Sequence, residues 1–291
     1  RKDDPDVGSE DYEQILFGKF AGRIKDALEK LKSVDPQIEL NGYHNIWIVK
    51  PNYLSRGRGI RCFNNLFDIV DYCFNKDIQY VAQKYIENPL LIHERKFDIR
   101  QWVLIQDFNP PKVWFYDECY VRFCTESYSL ENIYNRYIHL TNNSIQKYSS
   151  KFNQTEIPGN MGHGQFANHI GRDKWSDIQQ RIKDIVVWSI KSCEGSISAR
   201  RNSCELVGYD FMIDDQLNPW LIEINMSPAM DYSTAVTKRL VKCVMEDTVK
   251  VIGDTRKGGT LDVQVHIPRV GDHTVRALQD RLTALIYQPF D

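Results

Sequence analysis

The fold is decided by two runs of sequence, Gly208-Tyr209-Asp210-Phe211-Met212-Ile213 and Pro219-Trp220-Leu221-Ile222-Glu223-Ile224-Asn225. Apolar and aromatic residues fill both runs, and polar turn residues separate them, so this pattern predicts a β-hairpin. A four-residue loop over 215–218 would pair residue 214 with 219, Asp210 with Glu223, and Gly208 with Asn225. Opposed side chains on one sheet face have Cβ atoms about 5 Å apart. The hairpin is therefore expected to bring Asp210, Glu223 and Asn225 together.

These three side chains form a candidate metal site. Two carboxylates and an amide oxygen are ligands suited to Mg²⁺, and like charges this close are costly unless a cation lies between them. The alternative is a solvated polar face on a surface hairpin. The apolar run Trp220-Leu221-Ile222 favours a buried hairpin, so we interpret Asp210, Glu223 and Asn225 as Mg²⁺ ligands.

Two further segments carry charges in a pattern that suggests anion binding. In the strand Lys96–Trp102, residues 96, 98 and 100 share one face, although a solvent-facing ladder of charges would give the same pattern. Lys50 ends the apolar run 46–50 and is followed by Ser55-Arg56-Gly57-Arg58-Gly59. Small residues let backbone N–H groups approach an anion, but the segment lacks the Gly-Lys-Ser/Thr of a Walker A loop. A lysine at a strand end is also commonly a surface residue.

The remaining periodicity predicts an α+β chain. Helices are expected over 10–32, 65–75, 175–194, 235–252 and 273–287, and hairpins dominate the centre. A doubly wound sheet is disfavoured because no Gly-x-Gly-x-x-Gly follows a strand. Residues 149–171, which are rich in glycine, predict a long loop of the kind that is often functional.

Composition excludes several classes of function. The 37 basic and 39 acidic residues give a net charge of −2, so no global field favours nucleic acid. No apolar run approaches the roughly 20 residues of a membrane helix. The seven cysteines are scattered without a Cys-x-x-Cys pair, which disfavours a zinc site or a disulfide framework and fits a reducing, cytoplasmic compartment.

Over residues 41–252 the chain resembles the tubulin–tyrosine ligase-like family of ATP-grasp ligases. Eight strings carry the resemblance in the family's order: Trp47-Ile48-Val49-Lys50-Pro51, Ser55-Arg56-Gly57-Arg58-Gly59-Ile60, Gln83-Lys84-Tyr85-Ile86, Lys96-Phe97-Asp98-Ile99-Arg100, Tyr120-Val121-Arg122-Phe123, His139-Leu140-Thr141-Asn142, Gly208-Tyr209-Asp210 and Leu221-Ile222-Glu223-Ile224-Asn225. The resemblance implies an ATP-grasp fold, with two lobes of mainly antiparallel sheet, flanking helices and the nucleotide between them. The implied division is a helical segment 1–40, expected to be the rest of a truncated upstream domain, a small lobe 41–86, a large lobe 87–252 and an extension 253–291.

The resemblance also implies a role for each matched position. Arg100 and Arg122 would bridge phosphate and acceptor carboxylate, and Lys50 would contact the phosphates. Asp210, Glu223 and Asn225 would hold Mg²⁺, in agreement with the hairpin argument. The remaining ATP contacts would be the flap Ser55, Arg56, Gly57, Arg58 and Gly59, the adenine-binding hinge Gln83, Lys84, Tyr85 and Ile86, and the side chains of Lys96, Asp98, Thr141 and Asn142.

The implied activity is that of an ATP-dependent carboxylate–amine ligase acting through an acylphosphate. The strings Ile224-Asn225-Met226-Ser227-Pro228 and Ser233-Thr234-Ala235-Val236-Thr237 look most like the glycine-ligating branch. Expected partners are the C-terminal tails of tubulin or microtubules and free glycine, with no nucleic acid or membrane, and the enzyme is expected to be a monomer. Family membership implies the cytoplasm, the cytoskeleton, and the cilium or axoneme.

Three alternatives stay open at this point. They are a glutamate ligase of the same family, a catalytically silent relative that binds microtubules, and a small-molecule ATP-grasp ligase. The basic cluster Lys238, Arg239 and Lys242 would suit an acidic tail, but a solvated helix face is the favoured interpretation.

Overall fold

One long strand, β5 (Arg95–Phe108), organises the larger of two antiparallel sheets. The structure is a computed structural model that describes residues 9–35, 38–40, 42–74, 78–108, 110–152, 159–197, 203–257 and 264–265. Strands of the larger sheet follow the order β10-β9-β5-β6-β11, and β4, β7 and β8 pair beside this path. Their bounds are β4 (Leu91–Ile92), β6 (Pro111–Phe115), β7 (Tyr120–Phe123), β8 (Asn160–Gly162), β9 (Cys204–Ile213), β10 (Pro219–Asn225) and β11 (Gln264–Val265).

The smaller sheet has the order β2-β1-β3 and is built from β1 (Trp47–Pro51), β2 (Arg61–Phe63) and β3 (Tyr80–Lys84). One face packs on α2 (Leu66–Cys73) through Val49, Phe63 and Ile69. Because side chains alternate along a strand, Lys50 and Gln83 share the opposite face. That face looks toward the larger sheet.

The two faces of the larger sheet are covered differently. The main core lies under α5 (His163–Ile170) and α6 (Arg172–Cys193). On the other face, α7 (Ala235–Lys257) packs on Trp102 and Tyr120, while Met212 packs against Leu40 and Ile86. Between these two apolar patches lie charged side chains. The other helices are α1 (Ser9–Val34), α3 (Arg136–His139), α4 (Asn143–Gln146) and short 3-10 turns at Ile38–Leu40 and Glu194–Ser196.

The turn of the deciding hairpin differs by one residue from the expected one. Ile213, not residue 214, pairs with Pro219, so the loop covers 214–218. Asp214 is drawn into the loop because its carboxylate accepts hydrogen bonds from the backbone N–H groups of Gln216 at 3.0 Å and Asn218 at 2.7 Å. An aspartate that bonds its own turn in this way shapes the loop around itself.

A β-bulge then restores the pairing on which the site depends. With a regular register, Glu223 would oppose Tyr209 and face the main core. Instead Ile222 is an extra residue between Leu221 and Glu223, and the ladder resumes with Glu223 opposite Asp210. Bulges of this kind re-aim side chains. The predicted Asp210–Glu223 and Gly208–Asn225 pairs are therefore confirmed.

The α+β class with mainly antiparallel sheets and flanking helices is confirmed, but the predicted loop over 149–171 is wrong in part. Residues 160–170 form β8 and α5, and β8 pairs with β7, while Phe166 and Ala167 enter the main core. The helix expected over 273–287 lies outside the described residues. No helix in the described part of the chain is long and apolar enough to cross a membrane, and all seven cysteines are free.

Candidate active site

Four neighbouring strands place alternating charges in cross-strand pairs on one face. Arg122 of β7 opposes Asp98 of β5, and Arg100 of β5 opposes Asp210 of β9, which in turn opposes Glu223 of β10. Residues two apart on a strand point the same way. The row Arg122–Asp98 and the row Arg100–Asp210–Glu223 therefore lie side by side on one face of the sheet. The site thus follows from the antiparallel register of β7, β5, β9 and β10.

The arginines and aspartates form a buried ion network. Arg100 Nε and Nη2 donate to Asp210 at 2.5 and 3.1 Å. Arg122 Nε and Nη2 donate to Asp98 at 2.6 and 2.7 Å, and Arg122 Nη2 also lies 2.9 Å from Asp210 Oδ2. Paired in this way, buried charges are tolerated, whereas removing one partner leaves another uncompensated. The network holds two guanidinium groups rigidly on the site face.

The two carboxylates opposed across the hairpin have opposite electrostatics. Burial acts to raise the pKa of Asp210, but Arg100 and Arg122 outweigh it and hold that pKa below its ordinary value. Burial raises the pKa of Glu223, and the negative charge of Asp210 adds to this, against an opposing contribution from Lys50. Glu223 is thus the less compensated of the two carboxylates.

The hairpin residues fit a divalent cation. Asn225 Nδ2 donates to Glu223 Oε1 at 3.0 Å and to Asp210 Oδ2 at 3.3 Å, so an amide dipole lies where two carboxylates converge. A cation there would relieve the repulsion that raises the pKa of Glu223. Carboxylate and amide oxygens are the ligands that Mg²⁺ takes in proteins, so Asn225 would ligate through Oδ1 once its amide turns from the Nδ2 contacts given above.

Two lysines approach this face from different elements. Lys50, on the smaller sheet, donates to Gln83 Oε1 at 2.7 Å. Burial lowers the pKa of Lys50, and Lys96 acts in the same direction, while Glu223 and Asp210 oppose both. Lys96 of β5 is buried and donates to the carbonyl of His139 at 2.5 Å. The structure therefore gathers two ammonium groups beside the charged rows.

The glycine-rich segment Ser55–Gly59 closes against the larger sheet's loops. Ser144 Oγ donates to the carbonyl of Arg56 at 2.9 Å. Gly57 has φ +73°, and a Cβ placed on it would lie 2.7 Å from Asn142 Oδ1, so only glycine allows this approach. The segment and Asn142, both predicted ATP contacts, are thus adjacent.

The predicted hinge residues divide into two groups. Gln83 faces the site, but the Lys84 ammonium donates to Glu87 Oε1 at 2.6 Å and to the carbonyl of Ile46 at 3.0 Å. The side chains of Tyr85 and Ile86 are buried in apolar clusters. The side chains of these three residues are therefore engaged within the protein and do not face the site.

Thr141 joins the ion network, because its hydroxyl donates to Asp98 Oδ2. His139, to which the sequence pattern gave no role, links Tyr85 to Asn132 through hydrogen bonds of its two ring nitrogens. Its Nε2 lies 3.0 Å from the Asn132 carbonyl, and its Nδ1 lies 2.8 Å from the Tyr85 hydroxyl. A carbonyl only accepts, so Nε2 carries the proton and Nδ1 accepts from Tyr85. In the sequence, the signal that could have pointed to His139 was its position in the matched string His139–Asn142.

Comparison with known proteins identifies the family of this chain. Residues 12–258 match the model of the tubulin-tyrosine ligase family. The chain is 53% identical over 232 residues, 78% of its length, to tubulin glycylase 3B of Tetrahymena thermophila, of which this covers 20%. It is 44% identical over 246 residues to human tubulin monoglycylase TTLL3 and 42% identical over 258 residues to mouse protein monoglycylase TTLL8, covering 80% and 84% of this chain and 32% and 31% of the relatives.

The chain thus spans about a fifth to a third of the length of the curated relatives it matches. The family match covers most of the described residues, including every strand of the charged face. By this match, the chain belongs to the tubulin-tyrosine ligase family, and the relatives compared above are named glycylases.

Proposed function

We propose that this chain carries the catalytic core of an ATP- and Mg²⁺-dependent ligase that joins glycine to glutamate side chains of tubulin tails. The observation that carries the proposal is the buried network of Arg100, Arg122, Asp98 and Asp210 beside Glu223. The proposed substrate and amino acid come from the names of the relatives, which are called tubulin glycylases and monoglycylases.

The chemistry requires activation of an unreactive carboxylate. In the proposed first step, an acceptor glutamate oxygen attacks the γ-phosphorus of ATP, the bond to the β-phosphate oxygen breaks, and acylphosphate and ADP form. In the second step, the glycine amine attacks the acyl carbon, and inorganic phosphate leaves as the amide bond forms and the amine loses a proton. Catalysis of this kind depends on positioning and on charge stabilisation.

The residues of the site suit these tasks. Arg100 and Arg122 would orient the acceptor carboxylate and stabilise its developing oxyanion, because the network fixes both guanidinium groups. Lys50 and Lys96 would contact the phosphates. Asp210, Glu223 and Asn225 would hold Mg²⁺, which when bound neutralises phosphate charge.

The nucleotide would lie between the two sheets. In this proposal the smaller sheet is the small lobe (41–86) and the larger sheet the core of the large lobe (87–252). Residues 1–40 precede the small lobe, and 253–291 form an extension. The Ser55–Gly59 flap would cover the phosphates beside Thr141 and Asn142, and adenine would lie at Gln83–Ile86. A monomer that acts in the cytoplasm on microtubules, cilia or axonemes follows from the same resemblance.

Glutamate ligation is the second candidate, because the same activation chemistry serves either amine. We propose glycine because the relatives named above are glycylases.

The test uses the purified 291-residue chain with tubulin, ATP, Mg²⁺ and either radiolabelled glycine or radiolabelled glutamate. ATP-dependent incorporation of glycine is expected. Glu223→Gln should abolish it, since a metal ligand loses its charge, whereas the matched surface variant Glu246→Gln should incorporate glycine like the wild type. Incorporation of glutamate instead, or unchanged activity of Glu223→Gln, would contradict the proposal.

A further inference from the structure

A basic cavity lies between the flap and the segment 133–148, next to the site described above. Its volume is about 1010 Å³, at the upper end of the range for ligand sites. The flap and Ile60–Cys62 form one wall, and Ile133, Tyr134, Arg136, His139, Leu140, Ser144, Ile145, Lys147 and Tyr148 form the other. None of the aspartates and glutamates in the described part of the chain lines it. The cavity is therefore a strongly cationic space adjoining the flap.

The cations of this cavity lack acidic partners. Among the residues that the structure describes, none of Arg56, Arg58, Arg136 and Lys147 forms an ion pair. Arg58 Nε donates to the Ser55 carbonyl, at 3.3 Å. The Arg136 guanidinium and the Lys147 ammonium lie over tyrosine rings, at 5.3 and 5.0 Å from the centroids. This differs from the buried Arg100 and Arg122, whose charges are compensated.

The basic cluster suggested by the sequence is less available. Arg239 donates two hydrogen bonds to Glu118, at 2.8 and 2.6 Å, and Lys242 lies 3.9 Å from Glu246. Of the two cationic surfaces, the cavity has the stronger unpaired positive charge.

We propose that this cavity binds the acidic peptide segment that flanks the glutamate to be modified; this rests on the proposed function and assigns its acceptor a docking site. Several spaced cations around a wide opening match a chain of carboxylates. Tyr134 and Tyr148, each 67% exposed, offer flat apolar surfaces at the rim. The contact of Ser144 with Arg56 makes the flap part of the same wall. A docked peptide would thus lie next to the flap over the phosphates.

The test measures binding of a fluorescein-labelled peptide of ten glutamates to the full chain by fluorescence anisotropy. Arg136→Glu/Lys147→Glu reverses two cavity charges without touching the ion network. The matched control is Arg172→Glu/Lys174→Glu, which reverses an exposed arginine and an exposed lysine on α6, outside the cavity. Affinity for a fluorescent ATP analogue and glycine incorporation into tubulin are measured on the same proteins.

The cavity variant should bind the peptide about tenfold more weakly, and the control should bind it like the wild type, with the wild-type affinity falling as salt is raised. Affinity of the ATP analogue should stay unchanged. Equal peptide binding by both variants, weakening of the ATP analogue alone, or preferential binding of a ten-nucleotide RNA would overturn the inference. Glycine incorporation by the wild type separates the two proposals: without it the proposed function fails, whatever the peptide shows.

Discussion

Gly208 lies where the hairpin meets the ion network, and replacing it with alanine tests how tightly the site is built. An ideal Cβ on Gly208 would lie 2.8 Å from Pro228 Cβ and 3.3 Å from both Cδ and Nε of Arg100. Carbon atoms in ordinary contact lie about 3.5–4.0 Å apart. Pro228 and the strand must therefore move apart, and the side chain of Arg100 must also shift by a few tenths of an ångström.

The size of the effect follows from these distances. Relieving the contact with Pro228 requires a shift of about 0.7–1.2 Å, and overpacking of this kind costs about 1–3 kcal/mol of stability. Movement of Arg100 also disturbs its two hydrogen bonds to Asp210. Because a displacement of about 1 Å in an active site can cost about 100-fold in rate, we expect kcat to fall by about 10- to 100-fold.

The assay combines urea denaturation with glycine incorporation into tubulin. Gly164→Ala in α5 is the matched control, because a Cβ there has no neighbour within 4 Å, and it should keep both activity and stability. If Gly208→Ala behaved like Gly164→Ala in both measurements, the close packing of β9 against Arg100 would be refuted.

Three further variants or conditions probe other parts of the site. Arg122→Lys keeps the positive charge but loses the paired hydrogen bonds to Asp98. Urea denaturation should therefore show that the free energy of unfolding falls by about 1–3 kcal/mol. An unchanged denaturation midpoint would argue against the network. Gly57→Ala strains a backbone at φ +73° that lies against Asn142, so the KM for ATP should rise roughly tenfold. An unchanged KM would show that the flap is not part of the ATP site. Burial, and to a lesser degree Lys96, lowers the pKa of His139 from 6.5 to about 4. As the pH falls, His139 is therefore protonated in the unfolded chain before it is protonated in the folded chain. The free energy of unfolding should fall by up to about 3 kcal/mol from pH 6.5 to pH 4. A pH profile that His139→Gln leaves unchanged would count against this assignment.

The hairpin shows what sequence periodicity predicts and what it leaves out. The apolar runs around Asp210 and Glu223 predicted the pairing on which the site depends. The expected turn was nevertheless off by one residue, and a bulge at Ile222 corrected the register. The first departure arises from the hydrogen bonds of Asp214 to its own turn. The second turns Glu223 away from the core and toward Asp210. The alternation of side chains along a strand predicts neither the position of this turn nor the bulge.

The segment 149–171 shows the opposite limit. Its glycines have weak propensity for regular structure, which favours a loop. In the fold, Gly162 pairs with Tyr120 and Phe166 is fully buried in the main core. Long-range pairing therefore overrides local propensity here, and only the folded partner strand reveals it.

Side-chain roles along the hinge were also beyond the sequence. The string Gln83–Ile86 marked the segment, but not that Lys84 bonds Glu87 or that the Tyr85 hydroxyl bonds His139. These partners lie 3 and 54 residues away, and nothing in the local pattern connects the distant one. Motif spacing located the site, whereas the folded structure assigned its contacts.

We propose that this chain activates a tubulin carboxylate and joins glycine to it. The most direct measurement is mass spectrometry of tubulin tails after incubation with the chain, ATP, Mg²⁺ and an equimolar mixture of amino acids. We predict that tail glutamates gain the mass of glycine, only when ATP is present and not with Glu223→Gln. Addition of glutamate, addition without ATP, or tails left unmodified would contradict the account.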